Sequence, residues 1–285
     1  LPPMRLAAVT EVIAAADGST GWCLGQGSGC AMSAAYLDEP VRSQVFGAKN
    51  AVLSWGAGTA GKAVVTDGGY IVTGRWSFSS GSRHATWIGG HSLVYEPDGS
   101  PRLWPGGQHA DRTMLFLREQ VAIEDNWQVM GLRGTGSDSY SVNEFFVPDR
   151  LTLNRDMDSE RRVDSTAYIF TTTLVYAAAF AGVALGIARG SLDDLHALAQ
   201  HKTPRGASST LRESPVFHSL LAELEGQYRA ARAYLHQSYG DVWNRVDVAR
   251  KLTLDDRSEL RLAATYVSNQ AVDVVTRVYR AAGST

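Results

Sequence analysis

The spacing of apolar residues predicts two helices at the start of the chain, within residues 1–37. An interruption at Asp17 and Gly18 divides them, and Ser19 or Thr20 is suited to cap the second helix. The residues at helical spacing in the first helix are Leu6, Val9, Val12 and Ile13. The chain is therefore expected to begin as a helical segment.

Between residues 46 and 153 the pattern changes to short alternating runs separated by Gly, Pro and Asp, which is typical of β-strands. Asp67-Gly68-Gly69 lies between two such runs and is a hairpin-turn sequence. The predicted strands cover residues 63–66, 70–76, 87–95, 114–117 and 141–147. We expect a central β domain.

After Pro148 the helical pattern returns and continues. It predicts three long helices, over residues 165–200, 212–245 and 255–281, with Ser214-Pro215 at the start of the second. Each would be about 40 to 55 Å long at a rise of 1.5 Å per residue. Helices of this length, with small residues between Ala177 and Gly190, favour a closely packed bundle.

The first long helix contains an uncharged stretch from Ser165 to Ala188, which is long enough to suggest a membrane span. The stretch is richer in Ala, Gly and Thr than in Leu and Ile, and no basic flank or aromatic belt brackets it. A helix that is apolar all round in a soluble protein is buried on all sides. We therefore expect a helix at the centre of a bundle or at a subunit interface, and no membrane partner.

Composition agrees with a soluble globular protein. The 285 residues are 44% hydrophobic and 20% charged with a net charge of −2, which excludes a disordered or collagen-like chain. This balance gives no basic surface for nucleic acid. Cys23 and Cys30 are too few for a disulfide framework and have no metal-ligating neighbours in sequence, so we expect a cytoplasmic protein without a bound metal.

No motif of a nucleophile, a metal site or a phosphate loop stands out, and we expect His84 and His91, in the β region, to be hydrogen-bonded structural residues. Residues 52–61 (VLSWGAGTAG) and 74–87 (GRWSFSSGSRHATW) carry more chemical information. Both combine glycines that permit close backbone approach, hydroxyl groups, and aromatic rings that can cover a planar ligand. They fit either a site for a flat heteroaromatic cofactor or a Gly- and Ser-rich hairpin with a Trp in the core.

The order of the motifs resembles that of the acyl-CoA dehydrogenase superfamily. Within it, the chain is most similar to the two-component flavin-dependent (group D) monooxygenases, which have a second-type acyl-CoA dehydrogenase C-terminal domain. The resemblance covers nearly the whole chain. It is carried by residues 16–22 (ADGSTGW), the Ser54 and Ser80 segments, 127–139 (WQVMGLRGTGSDS), 146–148 (FVP), 178–189 and 203–206 (TPRG).

The resemblance implies an α+β fold in three parts. Residues 1–45 would be the end of an N-terminal helical domain, 46–155 a central β-barrel-like domain, and 156–285 a C-terminal bundle of long helices of the four-helix type. The first residue is Leu1, and the chain ends at Thr285, about where such proteins continue into a last helix. We therefore expect a longer natural chain, with a further N-terminal helical portion and a C-terminal segment.

The resemblance also implies a flavin site. Counting from Gly74 puts Phe78 at the position that stacks on the flavin and Ser80 at the position that hydrogen-bonds the N5 edge, while Trp76 is a strand residue of the pocket wall. Ser80 is the expected catalytic residue. The expected cofactor-binding residues are Ser54, Gly56, Phe78, Ser79, Ser80 and Arg205, the last reaching the phosphate part of a flavin bound to a neighbouring subunit. The expected substrate-pocket residues are Trp22, Cys30 and Trp55.

The implied activity is that of a monooxygenase component. A separate NAD(P)H:flavin reductase would supply reduced flavin, FMN or FAD, to a homotetramer of this chain. O₂ would add at C4a, Ser80 would hold the N5 hydrogen of the resulting hydroperoxyflavin, and one oxygen atom would pass to a small organic substrate.

Two departures from the family pattern bear on the alternatives. Where dehydrogenases have Thr-Glu-Pro-Gly-Ala-Gly, residues 54–58 are SWGAG and lack the acidic residue, which weakens the alternative of a flavin-dependent acyl-CoA dehydrogenase. Where aromatic hydroxylases have a His after the Ser-Thr-Gly-Trp motif, this chain has Cys30 and Ala31, which argues against a phenolic substrate. A second alternative is a non-catalytic oligomeric scaffold, against which the hydroxyl groups of Ser54 and Ser80 argue.

Overall fold

Six α-helices and a mixed eight-stranded sheet are formed by residues 1–155 and 157–283, which the computed structural model describes. The chain divides into one unit of Leu1–Gly25 with Ile169–Thr285 and a second of Gln26–Tyr168. The helices are α1 (Pro3–Ala16), α2 (Gly18–Ala31), α3 (Glu39–Phe46), α4 (Thr172–Ala199), α5 (Pro215–Ala249) and α6 (Leu254–Ala282). The predicted α+β class is confirmed.

The helical start of the chain is confirmed, with two corrections. Asp17 Oδ1 accepts a hydrogen bond from the N–H of Thr20 at 2.7 Å. The prediction that Ser19 or Thr20 caps α2 is wrong, because the Asp17 carboxylate precedes both and caps the helix itself. α2 ends at Ala31, where a 3₁₀ turn over Met32–Tyr36 replaces the helix predicted to residue 37.

The three long helices predicted after Pro148 are confirmed as α4, α5 and α6. α4 begins later than predicted because Thr171 caps it, its hydroxyl accepting from the N–H of Leu174 at 3.4 Å. α5 begins as predicted, with Pro215 in its first turn and Ser214 accepting from the N–H of Phe217 at 3.3 Å.

Glycines on α4 allow α1 to pack directly against it. A Cβ atom at Gly182 would overlap the carbonyl oxygen of Ala7, and one at Gly190 would lie against the carbonyl oxygen of Ala15. Gly186 lies between them, one helical turn from each, and a Cβ there would overlap the backbone of Glu11. The prediction that small residues in this stretch permit close approach is confirmed.

Within the described ranges, α4 is one helix that is long and apolar enough to cross a membrane. Of its most apolar stretch, 56% is buried inside the protein. α4 is therefore a buried core helix, as its composition predicts.

A buried carboxylate joins α1 to α5. Glu11, which is 6% exposed, accepts hydrogen bonds from the Tyr228 hydroxyl at 2.5 Å and from Arg232 Nε at 2.7 Å. His236 Nε2 lies 3.6 Å from the same carboxylate. Burial alone would raise the pKa of Glu11, but the nearby His236 and the hydrogen bonds from Tyr228 and Arg232 outweigh it and lower the pKa to about 2.

We expect Glu11→Gln to lower the free energy of unfolding by about 2 kcal/mol at neutral pH, a value reduced because Arg232 is half-exposed. A carboxyl group whose pKa is depressed in the folded state stabilises the fold above its unfolded pKa. The contribution of Glu11 to stability should therefore be lost as the pH falls from 4.5 to about 2, and the free energies of unfolding of variant and wild type should converge there. Urea denaturation at a series of pH values measures this.

The matched control is Glu223→Gln on α5, the helix that carries Arg232, because Glu223 is 63% exposed and pairs with Arg277 at the surface. We expect its effect to stay below about 1 kcal/mol. An equal loss in the two variants, or a difference at position 11 that does not change with pH, would contradict this description of Glu11.

The sheet lies wholly in the second unit. The strands are β1 (Leu53–Trp55), β2 (Gly61–Thr66), β3 (Gly69–Trp76), β4 (Trp87–Tyr95), β5 (Asp111–Leu117), β6 (Ala122–Glu124), β7 (Ser139–Pro148) and β8 (Thr152–Leu153). Their order in the sheet is β6-β7-β3-β2-β4-β5-β8, and β1 pairs in parallel with β4. All five predicted strands and the hairpin at Asp67-Gly68-Gly69 are confirmed.

Trp76 fills the centre of this sheet. Its side chain is fully buried, stacks on Tyr140 with ring centroids 5.2 Å apart, and donates from Nε1 to the carbonyl oxygen of His91 at 2.8 Å. Cβ atoms at Gly74 or Gly90 would lie 2.6 Å from the indole, so glycines shape the slot that holds it. Trp76 is a strand residue as predicted, but it lies in the core rather than at a pocket wall.

Candidate active site

The structure brings the two Gly- and Ser-rich segments together. Ser54, on β1, lies with its Oγ 3.1 Å from Ser79 Oγ and donates to the carbonyl oxygen of Ser80 at 2.8 Å. All three side chains are buried, with at most 7% of their surface exposed. Residues 25 and 26 positions apart in sequence thus form one hydrogen-bonded cluster.

A second group of hydroxyls continues from Ser80. Ser80 Oγ is 2.7 Å from Ser137 Oγ, which is 2.7 Å from Thr135 Oγ1. Thr135 Oγ1 donates to the carbonyl oxygen of Leu132 at 2.9 Å. Thr135 and Ser137 belong to the motif 127–139 but were not predicted as site residues, because the sequence does not show that this turn contacts Ser80.

Phe78 combines exposure with backbone strain. Its side chain is 62% exposed, and its φ of 62° lies in the left-handed region that non-glycine residues rarely adopt. The conformation is held in part by a hydrogen bond from the N–H of Ser79 to the carbonyl oxygen of Asp138 at 3.2 Å. Trp127 contacts the Phe78 ring edge-on at 5.9 Å. Strain of this kind is concentrated at ligand sites, and here it directs an aromatic ring outward.

Asp138 ties this segment to the loop that carries Trp127. Its carboxylate is 1% exposed and accepts from Arg83 Nε at 2.6 Å and from the N–H groups of Asn126 and Trp127 at 3.2 and 3.1 Å. Hydrogen bonds from Arg83 lower the pKa of Asp138, against the opposing effect of burial. Asp138 therefore remains ionised and fixes both Trp127 and, through its carbonyl oxygen, Ser79.

Gly56 is buried against the protein. A Cβ there would lie 2.7 Å from the carbonyl oxygen of Ser77, and its N–H donates to the Tyr140 hydroxyl at 3.1 Å. The next residues, 57–60, are exposed, and Gly58 has a φ of 75°. Gly56 thus permits β1 to approach Ser77 closely, and the exposed backbone of this loop begins at Ala57.

Trp55 contacts a different group of side chains from Ser54. It is 3% exposed, with the His91 ring edge-on at 5.1 Å and the Arg155 guanidinium 4.3 Å from its ring centre. His91 Nδ1 lies 2.7 Å from Thr113 Oγ1, and burial together with the Arg155 charge lowers the pKa of His91 to about 3. His91 is therefore a neutral, hydrogen-bonded structural residue, as predicted, whereas His84 is exposed.

The remaining predicted residues are Cys30, Trp22 and Arg205. Cys30 is fully buried, 3.8 Å from Gln26 Nε2. Trp22 and Arg205 belong to the other unit. There Trp22 is partly buried and stacks on Phe180 with ring centroids 3.9 Å apart, and Arg205 is exposed in the loop that follows α4. Among the residues that the structure describes, no group of three or more His, Cys, Asp or Glu could hold a metal ion.

Comparison with known proteins shows what this chain is similar to. Residues 178–285 match the family model described as acyl-CoA dehydrogenase, C-terminal domain. A pigment production hydroxylase of Rhodococcus erythropolis is 28% identical over 295 residues, covering 99% of this chain and 72% of the relative. The oxygenase subunit HsaA of a flavin-dependent monooxygenase of Rhodococcus jostii is 26% identical over 294 residues, covering 99% of this chain and 74% of the relative.

Among solved structures, XiaF from Streptomyces sp. in complex with FADH2 and glycerol superposes with a TM-score of 0.88 at 20% identity. The superposition covers 100% of this chain and 72% of XiaF, and the two proteins share their fold. The class that the fold defines is thus an α+β protein with the fold of XiaF. The chain is similar to acyl-CoA dehydrogenases over residues 178–285, and its relatives include an oxygenase component of a flavin-dependent monooxygenase, which confirms the resemblance stated from the sequence.

Proposed function

We propose that the chain is the oxygenase component of a two-component flavin-dependent monooxygenase. The observation that carries this proposal is the cluster at Phe78 and Ser80, where an outward-directed aromatic ring adjoins buried hydroxyl groups. This donor set fits a flavin, which needs a ring to lie against and hydrogen-bonding atoms at its edge. HsaA, a flavin-dependent relative, and XiaF, with FADH2 in its complex, support the assignment.

A bound reduced flavin supplies two electrons, with which O₂ delivers one oxygen atom to the substrate and the other to water. The protein's tasks are to bind and orient the flavin and the substrate and to exclude water. In this proposal Phe78 stacks on the ring, and Ser80 Oγ accepts from its N5 hydrogen. Ser54, Gly56 and Ser79 bind the flavin with them, and Ser54, which lies 3.1 Å from Ser79 Oγ, also fixes the Ser80 carbonyl oxygen by a hydrogen bond.

The remaining parts of the proposal rest on the resemblance. Arg205 would bind the phosphate of a flavin held by a neighbouring subunit of a homotetramer, because a guanidinium matches phosphate oxygens and Arg205 is exposed. Trp22, Cys30 and Trp55 would shape the pocket for a small organic substrate. A separate NAD(P)H:flavin reductase would deliver FMN or FAD, and the protein would act in the cytoplasm, without nucleic acid or membrane partners.

We also propose that the finer architecture is that of the superfamily. The sheet would correspond to its barrel-like domain (46–155), α4 to α6 to its four-helix-type bundle (156–285), and residues 1–45 to the end of its N-terminal helical domain. Support comes from the position of α3, which ends at Phe46, and from the strands, which lie between residues 53 and 153.

The test is to mix the chain with photoreduced FMN or FAD without oxygen and then to add O₂ in a stopped-flow instrument. Free reduced flavin reoxidises and releases hydrogen peroxide. We expect the chain to slow the release of peroxide relative to the same flavin alone. Identical peroxide release with and without a stoichiometric excess of the chain would overturn the proposal.

The Phe78→Gly variant is expected to weaken flavin binding with little change in the stability of the protein. Glycine adopts a φ of 62° without strain, which offsets the loss of a side chain that is already 62% exposed. We expect the free energy of unfolding to change by less than about 1 kcal/mol, whereas the affinity for reduced flavin falls roughly tenfold because the stacking surface is removed. Thermal denaturation and anaerobic titration measure the two effects, and unchanged flavin affinity would contradict the assigned role.

A further inference from the structure

The five hydroxyl groups at the candidate site form two rows, and each row has a fixed direction. In the first row Ser54 donates its single hydroxyl proton to the carbonyl oxygen of Ser80, which can only accept. The contact between Ser79 Oγ and Ser54 Oγ is then one in which Ser79 donates. Both protons of this row are directed toward the Ser80 carbonyl.

The second row has the same property. Thr135 donates its hydroxyl proton to the carbonyl oxygen of Leu132, so Ser137 must donate to Thr135 Oγ1. Ser80 must in turn donate to Ser137 Oγ, at 2.7 Å. The carbonyl of Leu132 thus sets the direction of three successive hydrogen bonds, and Ser80 Oγ engages any further partner as an acceptor.

This direction matters for a flavin because the N5 atom changes its hydrogen-bonding character with redox state. In reduced flavin N5 carries a hydrogen and donates, whereas in oxidised flavin N5 has a lone pair and accepts. An oxygen that can only accept a hydrogen bond therefore pairs with N5 of reduced flavin and is repelled by the lone pair on N5 of oxidised flavin. Building on the proposed function, we propose that Ser137 and Thr135 are positioning residues, which fix Ser80 Oγ as an acceptor and so make the site select reduced over oxidised flavin.

The two positioning residues are needed because a hydroxyl by itself adapts to its partner. An isolated Ser80 would rotate its proton toward an oxidised N5 and bind both redox states. In the structure Ser137 and Thr135 are 5% and 2% exposed, so no bulk water replaces a lost partner. If Thr135 lost its hydroxyl, Ser137 would turn its proton to Ser80, and Ser80 would become able to donate.

The test compares the dissociation constants of reduced and oxidised flavin, measured by equilibrium dialysis in an anaerobic chamber. The wild-type protein is expected to bind photoreduced FMN or FAD more tightly than the oxidised form. In Thr135→Val, and separately in Ser137→Ala, we expect the ratio of the two constants to fall roughly tenfold, about the value of one hydrogen bond. Tighter binding of the oxidised form should account for much of the change.

Two further variants distinguish a set direction from a general loss of structure. Thr135→Ser keeps the hydroxyl and should preserve the wild-type ratio. Ser82→Ala is the matched control, because Ser82 is fully buried and donates to the carbonyl oxygen of Gly136 in the same turn but lies outside both rows. It should also preserve the ratio.

The outcomes separate this inference from the function on which it rests. If the wild type binds reduced flavin preferentially and both Thr135→Val and Ser137→Ala keep that preference, the inference is overturned and the proposed function stands. Equal binding of both redox states by the wild type also overturns the inference. If the wild type binds neither form, the proposed function fails, and the inference fails with it.

Discussion

Trp76→Ala is expected to lower the free energy of unfolding by about 4 kcal/mol, within the range for removing a fully buried Trp. The indole is wholly buried, stacks on Tyr140, and lies in a slot where glycines leave no side chains that could relax into the space. The substitution also leaves the carbonyl oxygen of His91 without its indole donor. For a protein of ordinary stability this is a large fraction of the total.

Chemical denaturation monitored by circular dichroism measures this effect. Trp104 is the matched control, because it is only partly buried against the same core and Trp104→Ala should cost less than half as much. A loss below about 1 kcal/mol for Trp76→Ala would show that the sheet is not built around this side chain.

Asp138→Asn is expected to destabilise the protein by about 2 to 3 kcal/mol and to weaken flavin binding. The Asp138 carboxylate accepts from Arg83 through both oxygens and from two backbone N–H groups through one. An amide offers a single acceptor oxygen, and its NH₂ group would face a donor on either side. The expected loss is below that of a fully buried ion pair because Arg83 is 53% exposed and regains water.

Flavin binding is expected to weaken because Asp138 holds two backbone segments in place. The loop of Asn126 and Trp127 loses its anchor, and the backbone that fixes Ser79 loses its support. Glu124→Gln provides the control, because Glu124 also forms two hydrogen bonds with an arginine, Arg75, but at an exposed position. It should change stability little and leave flavin affinity unchanged, and equal effects of the two variants would contradict the role given to Asp138.

The elements that could be predicted from sequence are those with long or strongly alternating patterns. The three long helices and five strands were found because their periodicity extends over enough residues to be distinguished from chance. β1, β6 and β8, each of two or three residues, carry no periodic signal, and their pairing is decided by neighbours distant in sequence. Similarly, Trp76 could be placed on a strand, but only the glycines opposite it show that it faces the core.

The sequence predicts the residue types of the candidate site but not the contacts between them. Composition marks the two segments that hold Ser54, Ser79 and Ser80 as rich in hydroxyls and glycines, whereas the roles expected of these residues come from the family resemblance. The contacts of Thr135, Ser137 and Asp138 with those segments join residues more than 50 positions apart, and no local pattern encodes them. The left-handed backbone of Phe78 was equally hidden, because nothing in the sequence favours positive φ at a phenylalanine.

The central claim, that reduced flavin binds at the Phe78–Ser80 segment, is tested most directly by amide hydrogen exchange. The chain is exchanged without oxygen, with and without saturating reduced flavin, and analysed by mass spectrometry of its peptides. We predict slower exchange in two peptides, one covering residues 74–82 and the other 132–138, because these segments form the hydroxyl rows and carry the stacking ring. Bound flavin that leaves exchange in both peptides unchanged would contradict the claim.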